Sequence, residues 1–195
     1  MAELTVFYLV RHAHADWSLD EMRPLSERGQ TDALRVAILL APYPVSAITS
    51  SPSRRAIETV SPLATRLGLV VGEDPDIRER TLSRAPVHVT EFRNAVRATW
   101  QDPTCAYRDG EPNSAAQRRG VAVVERLAAG SPGGHFVLGT HGNLLALILQ
   151  HFDPSVDFDF WAAMTMPDVY RLNLSHSGHA TWDHLWPGLN AGQHH

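Results

Sequence analysis

Short apolar runs alternate with longer segments of helical periodicity along most of this sequence. Residues 4–10 are almost all β-branched, aromatic or apolar, and they predict a buried strand. Runs at 45–49, 69–71 and 135–140 have a similar character and predict three more strands. Since apolar runs of this length suit strands that are covered on both faces, we expect a sheet with helices on either side.

Between the strands, apolar residues recur at helical spacing, and serines stand where helices would begin. Ser26 and Ser114 are expected N-caps, and Ser51 is expected to cap a helix that has Pro52 at its first position. Gly68 is expected to end that helix, because glycine adopts the left-handed conformation of a helix end without strain. The predicted helices cover 27–41, 52–67, 89–100, 115–129 and 144–151.

The alternation of strands and helices predicts a three-layer α/β/α sandwich with a largely parallel central sheet. Residues 169–174 and 179–182 alternate around a Ser-Gly turn and predict a hairpin that closes this sheet. A chain of 195 residues can bury a sizeable core, so we predict a single domain over 1–195. Residues 81–112 have weak periodicity, and we interpret them as a partial cap or insertion over the sheet edge.

Composition narrows the class of protein without fixing its chemistry. The formal net charge of −4 argues against a general nucleic-acid-binding surface. The single cysteine, Cys105, rules out an intrachain disulfide and fits a reducing compartment. The sequence has neither a signal-peptide pattern nor an apolar stretch of membrane-spanning length. We therefore expect a soluble, cytoplasmic protein without nucleic-acid or membrane partners, and the sequence leaves its oligomeric state open.

Charged and imidazole side chains follow successive predicted strands and so fall at one edge of the sheet. Parallel strands bring their carboxyl ends to the same edge, where open α/β sheets bind ligands. Two arginines and two histidines there can hold a phosphoryl group and neutralise its charge in a transition state. The helix that follows Gly142 can add backbone N–H donors for the same anion. The side chains in question are Arg11, His12, Arg55, Glu79 and His141.

Four segments resemble motifs of the histidine phosphatase superfamily, which has the phosphoglycerate-mutase-like fold. Residues 9–18, LVRHAHADWS, resemble the family's Arg-His-Gly loop. Residues 50–59, SSPSRRAIET, resemble its Ser-Pro-x-x-Arg-Ala-x-x-Thr helix start. Residues 76–79, DIRE, and 140–143, THGN, are similar to the segments that carry its acid and its second histidine. One such match would be a weak signal, but four matches in the family's order are a strong one.

The resemblance implies a role for each matched residue. His12 matches the nucleophile that becomes a phosphohistidine, and Arg11, Arg55 and His141 match the pocket that holds the phosphoryl group. Glu79 matches the proton donor to the leaving oxygen. Because the cations belong to the chain itself, the resemblance implies chemistry that needs no metal ion and no cofactor.

Several positions depart from the family pattern. Ala13 stands where the loop usually has glycine, and Ser18 stands where many members have asparagine, although its hydroxyl can still donate to phosphate. Trp17 is a candidate for the mouth of the pocket. The usual glycine- and tryptophan-containing continuation after Glu79 is missing, so the position of the acid is left open. The alternative proton donors are Asp76 and Glu111.

The residues and the resemblance together predict a metal-independent phosphomonoesterase of the histidine acid phosphatase type. Its expected substrate is a small phosphorylated metabolite or a phosphoprotein, cleaved through a phosphohistidine at His12. The alternatives are a mutase-type phosphoryl transfer, which the short 81–112 segment disfavours, and a non-catalytic phosphate-binding module. Beside the site, we interpret Arg54 as a solvent-facing or ion-paired residue and His14 as a loop residue rather than a metal ligand.

Overall fold

A single sheet forms the centre of our computed structural model, which describes residues 4–16, 18, 20 and 22–187. The strands within this described part are β1 (Leu4–Arg11), β2 (Ala47–Ser50), β3 (Val71–Glu73), β4 (His135–Thr140), β5 (Asp168–Ser175) and β6 (Ala180–His184). They lie in the order β3-β2-β4-β1-β5-β6. The first four of these are parallel to one another, and β5 and β6 add antiparallel pairings at one side.

Helices cover both faces of the sheet. The α-helices among the described residues are α1 (Glu27–Leu40), α2 (Arg54–Leu67), α3 (Val89–Gln101), α4 (Asn113–Gly130), α5 (Gly142–Phe152) and α6 (Phe158–Ala163). Two short 3-10 helices cover Pro75–Ile77 and Tyr107–Asp109. The predicted sandwich with a largely parallel sheet is therefore confirmed, and so is the hairpin that closes it. The helix α3 lies inside the 81–112 segment, whose role as a cap stays a prediction.

The strand β1 is buried on both faces, because its side chains alternate between two cores. Tyr8 belongs to a cluster with Leu40 of α1 and Leu63 of α2. Leu9 points the other way and belongs to a cluster with Leu145 of α5. Burying a large apolar side chain contributes about 1.5–3 kcal/mol, so β1 anchors both helix layers.

The pairing of β1 with β4 determines where polar side chains can meet. Arg11 lies opposite Thr140 in this parallel pair, and the His12 N–H donates to the Thr140 carbonyl over 2.9 Å. The next residue of each strand is therefore a histidine, His12 on one side and His141 on the other. Thr140 Oγ1 also donates to the Ile77 carbonyl over 2.8 Å, which ties the loop before Glu79 to the same edge.

Several element ends agree with the predictions. Ser26 Oγ accepts from the Gly29 N–H over 3.1 Å and caps α1, and Gly68 ends α2 with a φ of 66°. The strands β2 and β3 begin two residues later than predicted. For β3 the reason is local: the Leu69 N–H still donates to the Ala64 carbonyl over 2.9 Å, so residue 69 completes the end of α2.

The predicted start of α2 is wrong. Ser51 does not cap the helix and Pro52 is not its first residue. Ser53 is the N-cap and Arg54 is the first helical residue. The Ser51 N–H donates to the Gly139 carbonyl of β4 over 2.8 Å, which keeps Ser51 at the edge of the sheet. A tertiary hydrogen bond thus overrides the local Ser-Pro signal.

The predicted start of α4 is also wrong. Pro112 occupies the N-cap position and Asn113 begins the helix, so Ser114 lies inside its first turn. The Ser114 N–H donates to the Pro103 carbonyl over 2.9 Å, and this tertiary hydrogen bond connects the first turn of α4 to the end of the preceding loop. The short helix α6 was not predicted at all. Among the described helices, none has both the length and the apolar character to cross a membrane.

Candidate active site

His12 follows β1 and is held in one tautomer. Its Nδ1 lies 2.8 Å from the Ala13 carbonyl oxygen, and since a carbonyl only accepts, Nδ1 carries the proton. The Arg55 Nε–H donates to His12 Nε2 over 3.2 Å, so Nε2 presents its lone pair toward the guanidinium. Only 8 % of His12 is exposed. The imidazole therefore presents its unprotonated nitrogen, Nε2, to the guanidinium of Arg55.

Burial keeps His12 neutral. Desolvation is the largest cause that lowers its pKa, from 6.5 to about 3. The hydrogen bond to Ala13 acts in the opposite direction, whereas the charges of Arg55, Arg11 and Arg23 lower the pKa further. At neutral pH the side chain is thus a free base, which is the form that a nucleophile requires.

Arg55, in the first turn of α2, joins the two histidines. Its Nη2 lies 3.3 Å from His141 Nδ1, and the rings of His12 and His141 are 5.2 Å apart at their centroids in an edge-on arrangement. Because a guanidinium only donates, His141 Nδ1 accepts. The proton of His141 is therefore on Nε2, which lies 2.8 Å from Ser51 Oγ.

His141 is completely buried and contributes no charge of its own at neutral pH. Desolvation is the first cause that lowers its pKa well below 6.5, and the neighbouring His12 and Arg55 lower it further. Both nitrogens of this neutral imidazole have partners, since Nε2 faces Ser51 and Nδ1 accepts from Arg55. The positive charge of the site comes instead from its guanidinium groups.

Arg11 is the second guanidinium beside the histidines. Its Nη1 donates to the Met164 carbonyl over 3.0 Å, while its buried Nε has no partner among the described residues. A Cβ at Gly142 would lie 2.9 Å from Arg11 Cζ, so the glycine allows the guanidinium to lie against the start of α5. Burial lowers the pKa of Arg11, whereas the charges of Glu79 and Asp168 raise it.

The carboxylate of Glu79 lies at the N-terminus of α5. Its Oε2 accepts from the Asn143 N–H over 3.2 Å, and its Oε1 accepts from Leu144 over 3.1 Å and from Arg80 over 2.8 Å. A helix N-terminus presents unpaired N–H groups to an anion of this kind. These bonds hold Glu79 close enough to Arg11 to act on its charge.

The two alternative acids have other surroundings. The side chain of Asp76 is 51 % exposed and lies 3.9 Å from Arg78. Glu111 accepts two bonds from Arg119, over 2.7 and 2.8 Å. Burial raises the pKa of Glu111, but the bonds and the charge of Arg119 outweigh it and leave the pKa below its usual value. Of these three carboxylates, Glu79 is the one whose charge acts on Arg11, and its role as the proton donor stays a prediction.

The remaining predicted residues have different fates. Gly142 lies directly against Arg11 and begins α5, two residues before the predicted helix start, and its role with phosphate stays a prediction. Ser18 Oγ accepts from the Asp20 N–H over 3.2 Å, a contact within its own loop, so its role with phosphate stays a prediction. Trp17 lies outside the described residues.

The ordinary interpretations of His14 and Arg54 fit the structure. His14 Nδ1 lies 2.8 Å from Ser26 Oγ, so the imidazole supports the start of α1. Arg54 is half exposed and pairs with Glu58 over 2.6 Å. No cluster of three or more histidine, cysteine, aspartate or glutamate side chains suited to a metal ion is found in the described part of the chain.

Two contributors to the site were missed by sequence reasoning. Thr59 Oγ1 accepts from the Ala13 N–H over 2.9 Å and donates to the Arg55 carbonyl over 2.7 Å, which fixes the nucleophile loop to α2. Arg23 lowers the pKa of both histidines, so its charge also acts on the site. Thr59 stands inside the motif at 50–59, where its position could have indicated a role.

A further set of donors lies next to Glu79. Arg80 is only 4 % exposed, and its Nε and Nη1 have no partner among the described residues. The buried Nδ2 of Asn113 is likewise without a partner there, although its Oδ1 accepts from Asn143 over 3.3 Å. Burial lowers the pKa of Arg80, while the charges of Glu79 and Glu111 raise it. Buried donors without partners are costly unless a ligand satisfies them.

Together these groups form a buried, cationic cluster around two neutral imidazoles. The neutral imidazole of His12 accepts from a guanidinium at the carboxyl ends of the parallel strands, and a helix N-terminus lies beside it. The fold and site are therefore those of an α/β enzyme that transfers phosphoryl groups. The chain belongs to the histidine phosphatase superfamily (branch 1), whose family model matches residues 7–185.

Similar proteins support this assignment. Glucosyl-3-phosphoglycerate phosphatase of Mycobacterium tuberculosis is 29 % identical over 196 aligned positions, which cover 91 % of this chain and 83 % of that protein. A solved structure of the mycobacterial glucosyl-3-phosphoglycerate phosphatase has a TM-score of 0.76 and 25 % identity, covering 94 % of this chain and 98 % of the other. A phosphoglycerate mutase of Bacillus anthracis has a TM-score of 0.77, 18 % identity and coverages of 94 % and 93 %, which shows a shared fold.

The depressed pKa of His12 predicts a loss of stability in mild acid. Below pH 6.5 the unfolded chain binds a proton at His12 that the folded chain does not, so stability falls with pH until the folded pKa near 3 is reached. Between pH 6.5 and pH 5 we expect His12 alone to cost about 2 kcal/mol. Urea unfolding of wild type and His12→Asn over this range measures the difference, and equal pH slopes for the two proteins would contradict the prediction.

Proposed function

We propose that this chain is a phosphomonoesterase that works without a metal ion and forms a phosphohistidine at His12. The observation that carries the proposal is the state of His12: its proton is on Nδ1, its Nε2 lone pair faces Arg55, and its pKa is far below 7. A free-base imidazole among cations is suited to attack a phosphorus atom.

The proposed first step is an in-line displacement. The phosphoryl group takes over the Arg55 Nε–H from His12, and the freed Nε2 attacks phosphorus while the bond from phosphorus to the ester oxygen breaks. Glu79 enters this step in its protonated form and gives that proton to the departing alkoxide. Arg11 and Arg55 bind the equatorial oxygens, where charge accumulates in the transition state. In the second step water attacks the phosphohistidine, Glu79 accepts the water proton, and inorganic phosphate and free His12 result.

The proposed substrates are small phosphorylated metabolites that carry a carboxylate near the ester. Arg80 supports this choice, because two donors of its buried guanidinium have no partner among the described residues, and they lie beside Glu79, where a leaving group would lie. The Mycobacterium tuberculosis relative is named for a phosphoglycerate derivative, which has such a carboxylate. A phosphoprotein substrate stays a prediction.

The first test is release of inorganic phosphate from an aryl phosphate in the presence of a chelator. Wild type is expected to turn over, and His12→Ala is expected to lose turnover. Arg55→Ala should lower kcat/KM by about 100-fold or more, the usual cost of removing a transition-state donor. Arg54→Ala is the matched control, since Arg54 pairs with Glu58 on the surface, and it should stay near wild type.

Rapid quench of the wild type is expected to trap an acid-labile phosphoenzyme. Turnover that survives in His12→Ala would remove His12 as the nucleophile. Isomeric phosphorylated products in place of free phosphate would indicate a mutase, and phosphate binding without turnover would indicate a binding module. Equal losses in Arg54→Ala and Arg55→Ala would mean that the pocket is assigned to the wrong arginine.

A second test concerns the proton donor. Glu79→Gln should lower kcat/KM for an alkyl phosphate by about 100-fold or more, because an alkoxide needs a proton to leave. A nitrophenyl phosphate, whose leaving group needs none, should lose much less. Asp76→Asn is the control and should leave both rates near wild type. A larger alkyl-specific loss in Asp76→Asn or Glu111→Gln would move the acid to that residue.

A third test concerns substrate choice. Arg80→Met keeps the length of the side chain and removes its charge, so KM for 3-phosphoglycerate should rise about tenfold, the usual scale for one charge-assisted bond. KM for glycerol 3-phosphate, which has no carboxylate, should change little. Arg84→Met, at an exposed position of the same segment, is the matched control. An equal effect on both substrates would contradict a carboxylate site.

A further inference from the structure

Asp168 is a buried carboxylate that has no part in the proposed reaction and pairs with Arg11 across two neighbouring strands. Asp168 begins β5 and is 1 % exposed. Its Oδ2 accepts from the Thr165 N–H and from the Tyr170 hydroxyl, each over 3.0 Å. Its Oδ1 accepts from the Val169 N–H over 3.1 Å and lies 2.5 Å from His184 Nε2. Burying a carboxylate is costly, and these four partners offset that cost by satisfying both of its oxygens.

Asp168 is next to Arg11 in the sheet. The antiparallel register of β1 and β5 places the two residues opposite each other. The charge of Asp168 acts on Arg11, where it raises the guanidinium pKa against the effect of burial. Asp168 therefore supplies negative charge to Arg11 from β5, the neighbour of β1 on the side opposite to β4.

Asp168 also fixes the turn that holds Arg11. The bond from Thr165 to Asp168 Oδ2 closes the segment 164–168, and Thr165 Oγ1 further donates to the Pro167 carbonyl over 2.6 Å. The carbonyl of Met164, at the start of this segment, is the acceptor for Arg11 Nη1. If the turn shifts, the acceptor that orients the guanidinium shifts with it.

We infer that Asp168 is the positioning residue of Arg11, which it orients through the Met164 carbonyl and through its own charge, and that His184 supports Asp168 from the edge strand. The inference rests on the proposed function, since it assigns Arg11 to the phosphoryl pocket. Asp168 touches no reacting atom in this scheme. It contributes only by positioning the guanidinium of Arg11, which contacts the phosphoryl group.

Two side chains that contact Asp168, Tyr170 of β5 and His184 of β6, connect it to the protein surface. His184 is about half exposed and stacks on Tyr170 with ring centroids 4.8 Å apart. The Tyr170 ring is buried, and desolvation and the neighbouring Asp168 both raise its pKa, so its hydroxyl remains a donor. Tyr170 thus contacts Oδ2 of Asp168, and His184 contacts Oδ1.

The test is a double-mutant cycle between Asp168→Asn and Arg11→Ala, read as the Kd of inorganic phosphate by calorimetry. In the wild-type background Asp168→Asn should weaken phosphate binding by about tenfold, a usual coupling for residues in contact. In the Arg11→Ala background the same change should have less than about a twofold effect. Circular dichroism and a thermal scan show that each variant is folded.

The direction of the change separates positioning from simple electrostatics. Asp168→Asn removes a negative charge, so a purely electrostatic role would tighten phosphate binding. Asp183→Asn is the matched control, because Asp183 pairs with Arg171 across the same two strands over 2.9 Å, away from Arg11. It should leave the Kd unchanged.

Tighter or unchanged binding in Asp168→Asn, or equal effects in both backgrounds, would overturn the inference. If Asp168→Asn does not fold, His184→Gln in the same cycle decides, with an expected weakening of about threefold that is absent in the Arg11→Ala background. The readout is independent of turnover. A wild type that binds phosphate without hydrolysing an ester would refute the proposed function alone, and one that binds no phosphate would refute both.

Discussion

The site depends on the parallel register between β1 and β4. One hydrogen bond, from the His12 N–H to the Thr140 carbonyl, continues that ladder past the end of β1. It brings two residues that are distant in sequence, His12 and His141, to adjacent positions at one edge. Ser51 joins the same edge through Gly139. A slip of one residue would turn each side chain to the other face of the sheet, so no part of the pocket could form independently of this pairing.

The electrostatics of the pocket follow from that shared edge. Burial makes ionised groups costly, and it therefore lowers the pKa of Arg11 and of His12 alike. The histidine can respond by remaining neutral, whereas a guanidinium keeps its proton and needs a compensating anion. Glu79 and Asp168 supply part of that compensation. A dianionic phosphoryl group would supply the rest, so the uncompensated positive charge of these guanidinium groups would itself favour ligand binding.

The sequence predicts the site as far as local patterns reach. His12 and His141 could be placed because each directly follows an apolar strand, and strand ends of a parallel sheet converge. The start of α2 could not be predicted in this way. It depends on the hydrogen bond from Ser51 to Gly139, and these two residues are distant in the sequence and share no local pattern. Asp168 escaped notice for the same reason. Its importance comes from the register of β1 against β5, which no periodicity within either strand reveals.

The central place of β1 in the sheet has a consequence for synthesis. The ribosome makes β1 first, but its two neighbours come much later: Val6 pairs with His135 of β4 and with Asn173 of β5. The almost wholly apolar β1 therefore remains unpaired until β4 and β5 have been translated. Long-range pairings form slowly, and exposed apolar strands promote aggregation of nascent chains. Truncation before β4 would thus yield an insoluble fragment instead of a smaller phosphatase.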